Sequence, residues 1–202
     1  MKTLEFFFDC SSPWTYLAFT RVHALAERTG ATIVWKPILV GGVFNAVNQG
    51  VYERRAKPEP RQRDYYNKDM QDWARLCGVK IVWLPRVFPV NAVAAMRGAY
   101  HALDKGKLVP YATAVFEAYW RDDRDISDKA VLAECAASAG LDVAAFTAGL
   151  DDPKNKERLR AATDELIARN GFGSPTMFVV GDMYFGNDRL PLVEAALMKA
   201  SA

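Results

Sequence analysis

Strand-forming sequence sits at the two ends of this chain, and helical pattern fills the middle. Leu4-Glu5-Phe6-Phe7-Phe8 is an apolar, aromatic run of strand length, and Ala31 to Pro37 is another, closed by its proline. Between them Leu17, Val22, Leu25 and Ala26 recur at helical spacing. Ser12 stands where an N-cap belongs, Pro13 falls in the first turn and Gly30 lies just past the end. A strand, a helix and a strand this close together form a βαβ unit, with parallel strands and a right-handed crossover. The tail returns to β-type sequence. Gly173 to Val180, a Gly181-Asp182 turn and Met183-Tyr184-Phe185 predict a hairpin, and Leu190 to Lys199 predicts a closing helix that tolerates Pro191 in its first turn.

From Arg63 to about Asn170 the pattern is helical. Tyr66, Met70, Trp73, Ala74 and Cys77 make one stripe, and Asn91 is placed to cap a second helix. Leu108 to Trp120 predicts a third, Ser127 caps a fourth that ends at Gly140, and Pro153 opens a fifth over Lys154 to Arg169. Stripes of this kind are core-facing surfaces rather than cofactor contacts. The acidic run Asp122, Asp123, Asp125 and Asp128 reads as a polar linker and a helix first turn. Ile38 to Pro60, rich in glycine, asparagine and proline, predicts a long loop of the kind that carries function. Arg54, Arg55, Lys57, Arg61 and Arg63 lie in or just after it, suited either to meet a carboxylate ligand or to form a solvated face. The order βαβ, helical block, ββα predicts an α/β thioredoxin-like fold with a large all-helical insertion. Residues 1–62 and 171–202 then form the thioredoxin-like domain and residues 63–170 the insertion.

Composition narrows the function. Of the 202 residues 50% are hydrophobic and 25% charged, as in ordinary globular proteins, and a net charge of +2 gives neither a nucleic-acid footprint nor a polybasic membrane patch. No apolar run approaches the roughly 20 residues of a membrane span. The first hydrophobic run carries Glu5 and Asp9 and no small-residue cleavage site, unlike a secretory signal. Cys10, Cys77 and Cys135 include no CxxC pair, which disfavours a disulfide framework or a zinc site; with only His23 and His101, a histidine-based metal site is not expected either. Reduced thiols and a cytoplasmic location follow as expectations.

Three places carry the candidate chemistry. The first is Ser12-Pro13-Trp14-Thr15, between strand and helix. In the thioredoxin-like superfamily this turn holds Cys-Pro-Trp-Cys or a relative, with a thiolate on the helix N-terminus, where free N–H groups favour an anion. Here both sulfurs are replaced by hydroxyls, which can hold a thiolate but cannot exchange a disulfide. That arrangement suits a sulfur supplied from outside, as by glutathione; a plain helix cap would use the same residues. The second place is Ser174-Pro175-Thr176, where the thioredoxin fold carries a cis-proline that exposes the preceding residue's backbone to pair with the cysteinyl unit of glutathione. Ser174 is expected to offer main chain rather than hydroxyl. The third is Asn187-Asp188, opening the last helix, where free N–H groups suit the γ-glutamyl carboxylate and Asp188 its ammonium; a simple Asp cap is the alternative.

Phe8 to Ala18, Phe88-Pro89-Val90-Asn91, Gly171 to Thr176 and Gly186 to Leu190 resemble the 2-hydroxychromene-2-carboxylate isomerases, within a group that includes kappa-class glutathione transferases and DsbA-like proteins. The resemblance covers nearly the whole chain. It implies that Ser12 faces the glutathione sulfur, that Asn48 helps hold the tripeptide, that Ser174 before cis-Pro175 gives backbone bonds, and that Asn187 and Asp188 bind the γ-glutamyl group. Gln62 stands where the family has a lysine, which leaves Arg61 or Arg63 to replace its charge. The implied activity is a glutathione-dependent cis-trans isomerisation of an aromatic enone acid by reversible thiolate addition, in a homodimer acting in aromatic hydrocarbon catabolism. A kappa-class-like transferase would need the same glutathione site, and a non-catalytic thioredoxin-fold binding protein is a further alternative. A dithiol oxidoreductase loses its chemistry with Ser12 and Thr15.

Overall fold

A computed structural model describes residues 2–200. Its first unit is β1 (Thr3–Phe8), α1 (Pro13–Thr29) and β2 (Thr32–Pro37), with β1 and β2 parallel and Phe6 in register with Trp35. The tail supplies β3 (Thr176–Val179) and β4 (Asp182–Phe185), each antiparallel to its neighbour, so the four-stranded sheet runs β2-β1-β3-β4. This is the thioredoxin-like sheet with helices inserted between β2 and β3.

The aromatic run in β1 is explained by burial on both faces, which removes the need for polar alternation. Phe6 and Phe8 meet Trp35 edge-on, and Phe8 also meets Phe19 of α1. Phe7 points the other way, against Phe178. Arg169, at the end of α9 (Pro153–Ala168), covers that second face, with its guanidinium 3.6 Å from the Phe178 ring centroid and forked onto Glu5. Helix α1 ends as its sequence predicts. Gly30 takes a left-handed φ of 65° and returns its N–H to the last turn.

The segment predicted as a loop, Ile38 to Pro60, is instead helical: α2 (Val40–Val47) and α3 (Gly50–Ala56), running into α4 (Pro60–Leu76). Tertiary packing overrides the poor propensity of Gly41-Gly42, because α2 lies on α9 with Val40 and Val43 buried. A Cβ on Gly42 would stand 3.4 Å from the Thr163 methyl, an ordinary van der Waals contact, so α2 packs closely on α9 there. Helix α4 begins at Pro60, capped by Glu59, earlier than the predicted Arg63. Of its predicted core stripe Met70 and Ala74 are buried, while Tyr66 is 54% exposed.

The remaining helices are α5 (Val93–Asp104), α6 (Leu108–Phe116), α7 (Lys129–Ser138) and α8 (Val143–Leu150), the last not predicted. Asp128 rather than Ser127 caps α7, since Ser127 is held by Asp125. Asn91 accepts from the Val93 N–H one residue ahead of the cap position. Asp122 and Asp123 pair with Arg121 and Arg86, so all four residues of the acidic run have structural partners. The hairpin turn is Val180-Gly181, one residue earlier than predicted, because Asp182 already pairs with Val179. Asn187–Arg189 forms a short 3-10 turn before α10 (Leu190–Lys199), which packs beside α1. No helix among the described residues is long and apolar enough to cross a membrane.

Candidate active site at the start of the first helix

Ser12 caps α1. Its Oγ accepts from the Thr15 N–H at 3.2 Å, as the Ser-Pro order predicts, and Pro13 fills the first helical position. The same hydroxyl donates to the Ser174 carbonyl at 3.0 Å. Thr15, fully buried, shares a 2.7 Å hydrogen bond with the Ser174 hydroxyl, which also accepts from the Asp9 N–H. Both positions that carry sulfur in thioredoxins therefore tie α1 to the loop before β3. The Ser174 hydroxyl is occupied internally, and the Ser174–Pro175 bond is cis.

That loop gathers the other candidates. Asn48, just past α2, donates its side-chain amide to the Phe172 carbonyl at 3.0 Å. The Pro175 carbonyl accepts from Gly186 N–H at 3.1 Å, which sets the following Asn187 and Asp188 beside α1. Asn187 is 97% buried, at 3% exposure, yet its Nδ2 has no hydrogen-bond partner. A buried donor left empty is costly, and buried polar atoms of Arg21, His23, Arg97 and Asn155 are in the same condition. Asp188 stays exposed and pairs with Arg189. Ser12 and Asn48 thus bond to the loop that holds Ser174 and Pro175, while Asn187 and Asp188 follow Gly186, which bonds the Pro175 carbonyl. Arg61, Gln62 and Arg63 do not join them: all three are exposed on α4's first turn, where Gln62 gives its backbone N–H to the Glu59 cap and Arg63 pairs with Asp64.

Sequence reasoning missed two contributors. Asp9 is fully buried, and its carboxylate accepts from Ser11 N–H and from Val40 N–H at the start of α2, both at 2.8 Å. Burial pushes its pKa up, and the two backbone donors partly oppose the shift. A carboxylate closing an apolar strand was its only signal. Trp120 lies in a π-helical turn, Glu117–Arg121, that continues α6 and aims its Nε1 at the Cys10 carbonyl, 2.9 Å away. Beside Asp9 and Ser11 opens a cavity of about 240 Å³, lined by Gly41 and Asn45 of α2 and by Val90 and Asn91.

The protein's own thiols are poor nucleophiles. Burial pushes Cys10 and Cys77 up, and Cys135 up to about 11. Among the described residues no group of histidines, cysteines and carboxylates could hold a metal ion.

Sheet order, cis-proline loop and helix-start turn together define a thioredoxin-like protein whose redox cysteines are replaced by hydroxyl residues. The family model for the DSBA-like thioredoxin domain matches residues 3–198. A 2-hydroxychromene-2-carboxylate isomerase from Pseudomonas putida is 34% identical, over 96% of this chain and 93% of its own. A solved structure of a 2-hydroxychromene-2-carboxylate isomerase superposes with a TM-score of 0.82 at 32% identity, over 96% of this chain and 94% of that one. Glutathione S-transferase kappa 2 from Caenorhabditis elegans is 27% identical over 95% and 90%. The chain belongs to the DsbA-like thioredoxin family, in the group that includes the 2-hydroxychromene-2-carboxylate isomerases.

Proposed function

We propose that this protein is a glutathione-dependent isomerase that changes the geometry of the double bond in the ring-opened enone form of a cyclic hemiketal acid such as 2-hydroxychromene-2-carboxylate. The observation that carries the reading is the exchange of redox sulfurs for Ser12 and Thr15 at the start of α1, where both hydroxyls meet Ser174 before the cis-proline.

When bound, glutathione would supply the thiolate nucleophile for reversible covalent catalysis on the ring-opened enone. The chain's residues do the rest. Ser12 turns its hydroxyl from the Ser174 carbonyl toward the sulfur, and the positive end of α1 favours the thiolate; together they lower the thiol pKa. Ser174 offers backbone groups to the cysteinyl unit, Asn48 steadies the tripeptide, and Asn187 and Asp188 receive the γ-glutamyl group. Asp188 must exchange Arg189 for the ammonium as it does so. The cavity beside Ser11 takes the aromatic acid. A homodimer in the cytoplasm is part of the same proposal.

Turnover of 2-hydroxychromene-2-carboxylate with and without glutathione tests the reading. Wild type is expected to react only with the tripeptide, and Ser12→Ala to lose most of that rate. No reaction in any sample would remove the isomerase assignment. The similarity to a kappa-class transferase supports a second reading, and conjugation of glutathione to an electrophile, without isomerisation, would favour it.

A further inference from the structure

Four polar residues line the cavity of about 240 Å³: Asp9, Ser11, Asn45 and Asn91. The rest of its lining is glycine and aliphatic, and among the described residues no cation belongs to it. Asp9 and Ser11 are committed to each other and to the backbone. The two Asp9 oxygens accept N–H groups from Ser11 and Val40, and the Ser11 side chain faces the same carboxylate. Asp9 is fully buried and both asparagines are exposed, so the carboxylate lies at the floor of the cavity and the two amides at its mouth.

An asparagine donates through Nδ2 and accepts through Oδ1, and a ligand meets whichever edge the protein has left unused. Asn45, on α2, accepts at Oδ1 from the Tyr52 hydroxyl at 2.7 Å. Asn91 accepts at Oδ1 from the Val93 N–H at 3.1 Å; a backbone N–H can only donate, which fixes the orientation of that amide. Among the described residues neither Nδ2 has a hydrogen-bond partner. Asn48 is the contrast, since it spends its Nδ2 on the Phe172 carbonyl and does not line the cavity. What Asn45 and Asn91 have left for a ligand is two neutral donors, and their natural match is a carbonyl oxygen. A carboxylate fits less well, because the one ionisable group in the lining is itself an acid. The aliphatic remainder suits the ring that carries the carbonyl.

We propose that Asn45 and Asn91 are specificity-determining residues of this cavity, their Nδ2 groups receiving the carbonyl oxygen of a conjugated aromatic ketone. The proposal rests on the reading of the cavity as the seat of an aromatic enone, and its test needs no glutathione. The whole protein is titrated, followed by NMR, with benzalacetone and with the diene in which the same C=O is replaced by C=CH2. Asn45→Asp and Asn91→Asp each keep the oxygen that Tyr52 or Val93 uses and exchange only the free donor for an acceptor. Each substitution is expected to weaken the ketone by about tenfold, the upper range for a neutral hydrogen bond, and to leave the diene unchanged. In wild type the side-chain NH2 resonances of Asn45 and Asn91 should shift with the ketone and not with the diene, a readout that stands even if a substituted chain does not fold. Equal effects on both probes, or none on either, would make the two asparagines structural and overturn the proposal. So would ketone binding that is absent from wild type or that leaves both NH2 groups unmoved. A separate titration with glutathione keeps the two readings apart: its failure would strike the proposed cofactor and leave the ketone–diene difference standing.

Discussion

Ser12 uses one oxygen twice, accepting from Thr15 N–H and donating to the Ser174 carbonyl. Removing it as Ser12→Ala takes away a helix cap and leaves a carbonyl without its donor, so urea unfolding should show a loss of about 1–2 kcal/mol. The variant should also raise the pKa of bound glutathione, followed by thiolate absorbance against pH. Asn187 gives the complementary case. Its Nδ2 bonds to nothing in the protein, so Asn187→Ala gives up little internal hydrogen bonding. Stability should change by less than about 1 kcal/mol, whereas glutathione should bind about tenfold more weakly, as expected for one lost hydrogen bond to a charged group. A large stability loss with unchanged glutathione affinity would make Asn187 structural. The identities of these residues were legible in the sequence because helix caps and proline turns are local devices. The bond from Ser12 to Ser174 spans most of the chain and was not.

At the scale of elements, Arg169 clasps three pieces together. It forks onto Glu5 of β1, bonds Glu165 of α9 and stacks on Phe178 of β3. The guanidinium beside Glu5 lowers that carboxyl's pKa below its ordinary value of 4.5, chiefly through the hydrogen bond. Because the folded value is depressed, the contribution is complete above the unfolded pKa and is lost as pH falls through the folded one. Arg169→Met should therefore cost about 1–2 kcal/mol near pH 7, a partly exposed bidentate pair being worth less than a buried one. In chemical unfolding followed against pH, the gap from wild type should narrow below about pH 4.5 as Glu5 takes up its proton. An unchanged gap would assign Arg169's contribution to stacking alone. Helices α1, α9 and α10 were readable from their caps and prolines. Helix α2 was not, because its stability comes from lying on α9, a partner remote in sequence.

Across the whole molecule, one continuous set of buried side chains runs from the sheet through the inserted helices. Helices α5 and α9 pack on β2, and Tyr100 of α5 donates to the Pro37 carbonyl at its end. Sheet and helices should accordingly unfold together. Near-ultraviolet and far-ultraviolet circular dichroism should give coincident thermal transitions, and two separated transitions would contradict a shared core. Glutathione at a hundred times its dissociation constant should raise stability by about 2.7 kcal/mol if it binds the folded state alone. The sequence by itself determined the element order, the β-type ends, the first helix with its cap and the replacement of sulfur by hydroxyl, because each is set by neighbours within a few positions. Tertiary structure alone decided that a supposed loop is helix, that Asp9 is buried against two backbone amides, and that Arg55 lies against the rings of Phe44 and Phe88. Those outcomes depend on contacts between residues far apart in the chain, which local pattern does not encode.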